Sequence, residues 1–515
     1  MFVIKNLTLT LIEDMRILLE DFNFSLFPGQ KIALIGEEGN GKSTLLKAIA
    51  SPASLAESVE IHGMIDRSDE VIGYLPQEID SETLSQSTEA ILFARIPFDA
   101  LDYTAYYRLL HEMNLPDALI SKDRRLRELS GGEKIKFLLL IEMLKNPTIL
   151  LLDEPSNDLD LQAVQWLEQF IQDLQIAVLF VSHDEQLLTR CATGVIHIEQ
   201  LLHKTKPQYT VSGLSYDQYV QNRQDGIVRQ TQLAKKEKQE YDEKLKRYQR
   251  VYERVQHELR TVSRQDPGTA KNLKDKMHSV KSIGRRLERE KETVTQKPER
   301  DTSIDVSFFP EVRLPARKEI INLELPVLKA GTTILSKNIS LHLAGPQKIC
   351  IIGQNGSGKT TLLREIMRAM NHQNIRAAYM PQAYAEMMHP EQNAIDFLTL
   401  SGEKEEHTRI RTYLGSMKFT PDEMYRPVEK LSGGQRAKLY FSKMILNQAE
   451  YLILDEPTRN LSPLSGPEIR SALSAYQGGI IGASHDRIFI TEVFDLIYEL
   501  TTDGLKIVSR ETLMS

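Results

Sequence analysis

Two hydrophobic rhythms divide this chain. The first is the short, unbroken apolar run. Lys31-Ile32-Ala33-Leu34-Ile35 and Lys348-Ile349-Cys350-Ile351-Ile352 each feed a glycine-rich loop and then a helical pattern that starts at a lysine. Ile149-Leu150-Leu151-Leu152, Tyr451-Leu452-Ile453-Leu454 and Ala177-Val178-Leu179-Phe180-Val181 are apolar throughout, as strands covered on both faces of a parallel sheet must be. This rhythm predicts an α/β fold with motifs at strand C-terminal ends and helix starts, where open α/β sheets bind ligands. The second rhythm fills the stretch from Gln221 to Arg300. Tyr241, Leu245, Tyr248, Tyr252, Val255, Leu259 and Val262 are spaced 4-3-4-3-4-3, and Leu273, Met277, Val280, Gly284, Leu287, Lys291 and Val294 repeat that spacing after Asp266-Pro267-Gly268. A seam of this kind on two helices joined by a turn predicts an antiparallel α-helical coiled-coil hairpin. Each seam corresponds to ~33 Å of helix, and a first helix starting near Arg223 reaches ~60 Å.

The α/β pattern occurs twice. Gly36-Glu37-Glu38-Gly39-Asn40-Gly41-Lys42-Ser43-Thr44 returns as Gly353-Gln354-Asn355-Gly356-Ser357-Gly358-Lys359-Thr360-Thr361. Tyr74-Leu75-Pro76-Gln77 returns as Tyr379-Met380-Pro381-Gln382, and Leu129-Ser130-Gly131-Gly132-Glu133 as Leu431-Ser432-Gly433-Gly434-Gln435. Leu152-Asp153-Glu154-Pro155 returns as Leu454-Asp455-Glu456-Pro457, and Ser182-His183-Asp184 as Ser484-His485-Asp486. The last three pairs share an offset of 302 residues and the first is offset by 317, so the first repeat carries 15 extra residues between its first and third motifs. The order predicts three parts: an α/β domain over 1–220, the hairpin over 221–300 with its tip at about 263–272, and a second α/β domain over 301–515.

Charge changes the picture of the middle part. The whole chain carries a net charge of −7, which gives no sign of a nucleic-acid partner. Residues 221–300 alone hold 22 Lys+Arg against 13 Asp+Glu, a local +9, leaving −16 on the remainder. A rigid spacer between domains is the plain alternative, but a spacer has no need of a basic excess. The two cysteines, Cys191 and Cys350, sit alone in apolar contexts and read as small buried hydrophobes. The N-terminus lacks a signal-peptide layout, and no run of 18 apolar residues occurs, so the expected location is cytoplasmic with no membrane contact.

The motifs carry chemistry. Glycines of a P-loop turn backbone N–H groups toward a triphosphate, Lys42 and Lys359 reach its terminal phosphates, and Ser43 and Thr360 supply a hydroxyl to Mg²⁺. Asp153 and Asp455 end apolar strands, as a metal ligand does, while Gln77 and Gln382 suit the metal or the attacking water. Glu154 and Glu456 are placed to orient or deprotonate that water, and His183 and His485, each 29 residues on, to contact the γ-phosphate. The alternatives are a ligand-free glycine turn, solvated strand ends and structural histidines. The Leu-Ser-Gly-Gly segments open helices and offer a second anion site through Ser130, Gly131, Gly132 and Ser432, Gly433, Gly434.

With these motifs in hand, the chain resembles the ATP-binding cassette (ABC) superfamily over nearly all of both repeats. The resemblance implies two P-loop ABC ATPase domains, ATP and Mg²⁺ as ligands, and two composite sites. One pairs Gly36, Gly39, Asn40, Gly41, Lys42, Ser43, Thr44 and Glu154 with Ser432, Gly433 and Gly434. The other pairs Gly353, Asn355, Gly356, Ser357, Gly358, Lys359, Thr360, Thr361 and Glu456 with Ser130, Gly131 and Gly132. Two departures stand out. Leu11-Ile12 and Val327-Leu328 occupy the places where many family members carry an adenine-stacking aromatic. The loop after the glutamate reads Ser156-Asn157-Asp158-Leu159-Asp160 in the first repeat and Thr458-Arg459-Asn460-Leu461-Ser462 in the second, so the family aspartate is kept as Asp160 and replaced by Ser462. The two sites are therefore expected to be inequivalent.

A charged hairpin between two units on one chain further resembles the ABC-F family of ribosome-associated translation factors. That resemblance implies a monomer with intramolecular pairing and no obligate protein subunit. It implies rRNA and tRNA as partners of 221–300, and an interdomain linker that reaches toward the peptidyl-transferase centre. The Thr458-to-Pro463 loop is similar to that of members that protect ribosomes from antibiotics, as is the short interval between Thr44 and Leu129, while the short tip is not. Arg264, Gln265, Asp266 and Lys271 are the candidate tip contacts, with solvated turn residues as the alternative reading. A housekeeping factor of the same family is the second reading. A tandem ATPase subunit of a membrane importer, which needs no basic hairpin, is a third. A DNA-repair or chromosome-type ATPase, whose coiled coil interrupts one unit, is a fourth.

Overall fold

The computed structural model describes residues 1–510 apart from 68–69, 158, 202–204, 262–266, 294–313, 374, 385–387, 418, 432 and 460. It separates into two compact units, Met1–Tyr216 with Asp301–Ser515, and Asp217–Arg300.

In the first repeat, β1 (Phe2–Leu11), β2 (Ile17–Leu26), β3 (Lys31–Ile35), β4 (Val59–Asp66), β5 (Ile72–Leu75), β6 (Ile149–Asp153), β7 (Ala177–Val181), β8 (Gly194–Gln200) and β9 (Lys206–Ser212) build two sheets. One is three-stranded and antiparallel, in the order β2-β1-β4; the other is six-stranded, in the order β5-β6-β7-β3-β8-β9, parallel except for β9. The helices that matter for the site are α1 (Lys42–Ala50), α2 (Gly131–Leu144), α3 (Leu161–Asp173) and α4 (Glu185–Cys191).

The second unit is formed by α5 (Tyr216–Thr261) and α6 (Pro267–Thr293). At 1.5 Å per residue α5 is ~69 Å long, because the helix starts before the expected Gln221 and holds its register throughout. Every expected seam position that is described is at least partly covered except Lys291, which is exposed; Val262 and Val294 lie outside the described residues. Val255, Leu273, Val280 and Leu287 are buried. Lys244 pairs with Glu290, and a Cβ at Gly284 would lie 2.6 Å from Tyr248 Oη, so the two helices run antiparallel. The glycine breaks the run of apolar seam residues because the tyrosine ring fills its place. The tip differs from expectation: Pro267 and Gly268 begin α6 rather than form a turn, as suits proline in a first helical turn, so residues 267–272 are helical. Arg264, Gln265 and Asp266 lie outside the described residues, and Lys271 is exposed on α6.

The second repeat comprises β10 (Glu319–Ala330), β11 (Thr333–Ala344), β12 (Lys348–Ile352), β13 (Ala377–Met380), β14 (Tyr451–Asp455), β15 (Gly479–Ala483), β16 (Leu496–Thr501) and β17 (Gly504–Val508), with α7 (Lys359–His372), α8 (Gly433–Leu446), α9 (Gly466–Ala475) and α10 (Arg487–Val493). Its six-stranded sheet, β13-β14-β15-β12-β16-β17, repeats the order of the first, strand for strand. The unbroken apolar runs are explained by packing on both faces. Tyr451 and Ile453 of β14 join Ile349, Leu362, Leu363 and Ile366, whereas Leu452 and Leu454 join Phe441, Phe489 and Phe494 on the other side. Burial of each such side chain contributes ~1.5–3 kcal/mol relative to exposure. Most of the extra length of the first repeat lies between the P-loop and β5: 38 residues separate Gly36 from Tyr74, against 26 from Gly353 to Tyr379. That interval holds β4, which adds a third strand beside β1, while β10 and β11 form a two-stranded sheet. Cys191 and Cys350 are both buried, and burial pushes the Cys191 thiol up to about 12, in line with inert core residues. Among the described residues no helix is long and apolar enough to cross a membrane.

Candidate nucleotide sites

Both P-loops leave the C-terminal end of a central strand and enter a helix that no side chain caps. The free N–H groups of α1 and α7 are left for an anion. The loops turn sharply at Gly36 and Gly353, with φ near 150°, where a Cβ would lie 2.3 Å from Ile198 O in the first case and 2.9 Å from Leu500 O in the second. Lys42 Nζ donates to Gly36 O (2.8 Å) and Glu37 O (3.0 Å), and Lys359 Nζ to Gly353 O (2.7 Å) and Gln354 O (3.2 Å). Burial holds both ammonium groups below their ordinary value, against the pull of Glu154 and Glu456 respectively. Each lysine is thus a desolvated cation at the mouth of a ring of N–H donors.

The carboxylates follow from β6 and β14. Ser43 Oγ donates to Asp153 Oδ1 (3.0 Å), and burial raises Asp153 to about 6. Burial also raises Asp455, opposed by its hydrogen bond with Thr360. Hydroxyl, carboxylate and the amides of Gln77 and Gln382, which line the two cavities, form the hard oxygen set that suits Mg²⁺. Among the described residues no group of three or more His, Cys, Asp or Glu is placed to hold a metal ion by itself. Glu154 and Glu456 both sit at φ 50°, a left-handed conformation that costs a non-glycine residue free energy. Their backbone N–H groups are tied to Val181 O (3.0 Å) and Ala483 O (2.9 Å), which holds the bend.

The two sites then diverge. His183 Nε2 lies 2.9 Å from Glu154 Oε1; burial opposes the imidazolium, but the neighbouring carboxylate outweighs it and raises His183. His485 Nε2 is 3.6 Å from Glu456 Oε1, and burial, with Lys359, pushes His485 down to about 3. Burial raises Glu456 to about 8. Glu456 Oε1 and both ring nitrogens of His485 are buried without hydrogen-bond partners, polar atoms that a ligand would satisfy.

The cavities show which repeat faces which. A cavity of about 590 Å³ is lined by Lys359, Thr360 and Glu456 of the second repeat together with Gly131, Ser156 and Asn157 of the first. A smaller one, about 260 Å³, is lined by Lys42, Ser43, Gln77 and Glu154 with Arg459 of the second repeat. Gly434 N donates to Glu38 Oε2, and Ser465 Oγ donates to Glu37 Oε1 (3.0 Å). Gly433 and Gly434 are buried at the start of α8, and Ser432 lies outside the described residues. Ser130 caps α2 through Glu133 N (3.2 Å), and Gly132 packs toward Ala163. Asn40 is buried beside Ile198 O (3.1 Å). Gly39, Gly41 and Thr44 line the smaller cavity; Asn355, Gly356, Gly358 and Thr361 line the larger. Ser357 Oγ lies 3.0 Å from the place of a Cβ on Gly353. Each cavity also has an aliphatic part to its lining, Leu11 and Leu18 beside Arg16 in one, and Ala330 and Leu335 in the other. Ile12 and Val327 are exposed. Sequence reasoning missed Glu37, Glu38 and Arg16. The first two stand inside the P-loop motif as variable positions, and only their acidity beside an anion site was a signal.

The ABC transporter family profile matches residues 19–157 and 336–459. The chain is 27% identical to ABC transporter F family member 5 of Arabidopsis thaliana, covering 94% of this chain and 72% of that protein. It is 27% identical to the ABC transporter ATP-binding protein YkpA of Bacillus subtilis, over 98% of this chain and 95% of that one. Among solved structures it is similar to the archaeal ribosome recycling factor aABCE1 in complex with the stalk protein aP1, with a TM-score of 0.57 at 16% identity, covering 97% of this chain and 89% of that chain. It is also similar to ABCE1 in a model of ribosome-bound archaeal Pelota and ABCE1, with a TM-score of 0.54 at 16% identity, covering 95% and 76%.

Proposed function

The chain belongs to the ABC transporter family as a tandem ATPase of its F type, and from that premise we propose that ATP binding and hydrolysis insert and release the α5–α6 hairpin at a ribosome. The observation that carries this reading is the hairpin itself. Its apolar seam is covered while its basic excess stays on the outside, between two complete sets of ATPase motifs. Exposed lysines and arginines along a stiff rod neutralise phosphates of rRNA and tRNA through backbone and shape rather than base identity. The ribosomal setting of the aABCE1 structures supports the same partner class. The expected location is the cytoplasm.

At the sites, backbone N–H groups of each P-loop with Lys42 or Lys359 bind the triphosphate, and the glycines opening α2 and α8 close on it from the opposite repeat. Ser43, Asp153 and Gln77, and in the second site Thr360, Asp455 and Gln382, would hold Mg²⁺, which when bound would neutralise phosphate charge. Glu154 positions and deprotonates the water at neutral pH, and Glu456 positions it and becomes a base only as it ionises at about pH 8, each fixed by its strained bend, while His183 and His485 face the terminal phosphate. The aliphatic lining residues offer a base apolar contact without aromatic stacking. Closure around two ATP molecules holds the binding pose of the hairpin near the peptidyl-transferase centre; hydrolysis ends it. The Thr458-to-Pro463 loop and the short interval between Thr44 and Leu129 favour a ribosome-protection role against antibiotics over a housekeeping one.

A Glu154→Gln plus Glu456→Gln chain should bind ATP, hydrolyse it at least ~10²-fold more slowly, and sediment with ribosomes when ATP is present. Recovery of that variant in the ribosome-free fraction sinks the proposal. Wild-type protein should also restore translation in an extract inhibited by a drug that binds near the peptidyl-transferase centre. Failure across such drugs leaves the housekeeping role.

A further inference from the structure

From Asp153 to Cys191 the first repeat aligns without a gap on Asp455 to Val493 at the constant offset of 302 residues. Three positions in this span are inverted in charge. Glu168, Glu185 and Arg190 of the first repeat correspond to Arg470, Arg487 and Glu492 of the second.

These six residues meet. Arg470 forks onto Glu185 with two hydrogen bonds, Nη1 to Oε1 at 2.6 Å and Nη2 to Oε2 at 3.0 Å, and Arg487 Nη2 pairs with Glu168 Oε1. Both contacts join α3 or α4 of one repeat to α10 or α9 of the other. By position they are one contact made twice, as two-fold pairing of like surfaces requires. Within each repeat the third member braces the pair: Arg190 Nη1 lies 2.7 Å from Glu168 Oε2, and Arg470 Nε lies 2.6 Å from Glu492 Oε2. Glu168, Arg470 and Arg487 are buried, where an unpartnered charge is strongly penalised. Asp184 and Asp486 keep the same sign in both repeats and face the same cluster, adding negative charge that the second repeat's arginines offset. The bidentate fork is fitted by one further asymmetry. A Cβ on Gly466 would lie 2.1 Å from Glu185 Oε1, and the matching position of the first repeat is Val164.

We infer that this six-residue set is a pairing code that restricts each repeat to an unlike partner. A first repeat facing another first repeat would bury Glu168 against Glu185 twice; two second repeats would bury Arg470 against Arg487 twice. Repulsion of this kind selects partners more sharply than attraction alone. The glycine, lysine and Leu-Ser-Gly-Gly motifs that complete the sites are nearly identical in the two repeats and do not discriminate; beside the ties of Glu37 and Glu38 to Ser465 and Gly434, the code favours sites built from one repeat of each kind. The inference concerns the pairing of the repeats and is independent of what the hairpin binds.

The test uses the full-length chain in three forms: Glu168→Arg with Glu185→Arg and Arg190→Glu; Arg470→Glu with Arg487→Glu and Glu492→Arg; and all six together. Each triple reversal puts like charges in both contacts and should lower ATPase activity by at least ~10-fold. The six-fold exchange restores opposite signs and should return activity to within ~3-fold of wild type, together with the cooperative melting transition. Recovery of both in the six-fold chain upholds the code even if the triple variants unfold. A six-fold chain as impaired as either triple overturns it in favour of fixed local packing, and triple variants with wild-type activity and melting overturn it outright.

Discussion

The two nucleotide sites share a backbone and differ in their charges. Strand order, P-loop bend, uncapped helix and left-handed glutamate are the same in both, to within a few degrees at Gly36 and Gly353. The site around Lys42 is small, holds Glu154 against His183 at 2.9 Å, and has two P-loop carboxylates tied to the opposite repeat. The site around Lys359 is larger, has Gln354 and Asn355 at those loop positions, and keeps a buried Glu456 that stays protonated up to about pH 8. Repetition of a fold therefore preserves what bends and packs the chain, and leaves free the side chains that set how strongly each site binds and reacts.

Removal of the glutamates one at a time strikes this comparison hardest. At pH 7, Glu154→Gln should lower steady-state ATPase on the order of 10²-fold, because the surviving Glu456 is largely protonated. Glu456→Gln should cost under ~3-fold at the same pH. The residual rate of the Glu154→Gln chain should climb as pH rises through about 8, since a raised carboxylate gains its base form only there, and the rise should vanish when Glu456 is also removed. Equal losses and a flat profile would erase the distinction between the sites.

A smaller effect should come from Glu38→Asn, which gives the first P-loop the residue found at Asn355. The carboxylate on Gly434 N occupies the donor end of α8, where a phosphate is also favoured, so its removal should tighten ATP binding at the first site by about 3- to 10-fold. Titration of a fluorescent ATP analogue into the Glu456→Gln background would read this, and unchanged or weaker binding would argue that Glu38 only holds the repeats together.

The smallest effect concerns the loop after the glutamate. Asp160 caps α3 by accepting from Ala163 N at 3.0 Å, whereas Ser462 Oγ is buried without a hydrogen-bond partner. Asp160→Ala should cost about 1 kcal/mol in thermal denaturation. Ser462→Ala should be neutral or slightly stabilising, since it removes a buried unsatisfied hydroxyl. Matching losses would mean the two loops are stabilised alike.

The legible part of this molecule was the part encoded locally. Apolar runs marked β3, β6, β7, β12 and β14, glycines marked the P-loops, and a 4-3 seam marked the hairpin, because each depends on neighbours within a few residues. What escaped was set by distance or by weak pattern. β4 reads as an ordinary polar-apolar stretch, and its role is fixed by pairing with β1. The start of α5 at Tyr216 is announced only by the short Gly213-Leu214-Ser215 stretch, and Pro267 reads as a stop from one side and as a helix start from the other. The ties of Glu37 and Glu38 span about four hundred residues, so no local rule contains them. The charge inversion at Glu168 and Arg470 was written in the self-alignment, yet it emerges only when differences between the repeats are read as closely as identities.

Gly284 against Tyr248 has a mechanical consequence. A glycine inside a helix costs about 1 kcal/mol relative to alanine, and here that weakness is matched to one tyrosine on the opposite helix. If α6 slid by a heptad, the ring would meet Met277 or Lys291 instead of a notch. The pair therefore acts as a detent: the helices resist shear, and a push applied at one end of the rod arrives at the other as displacement instead of being lost to slippage along its length.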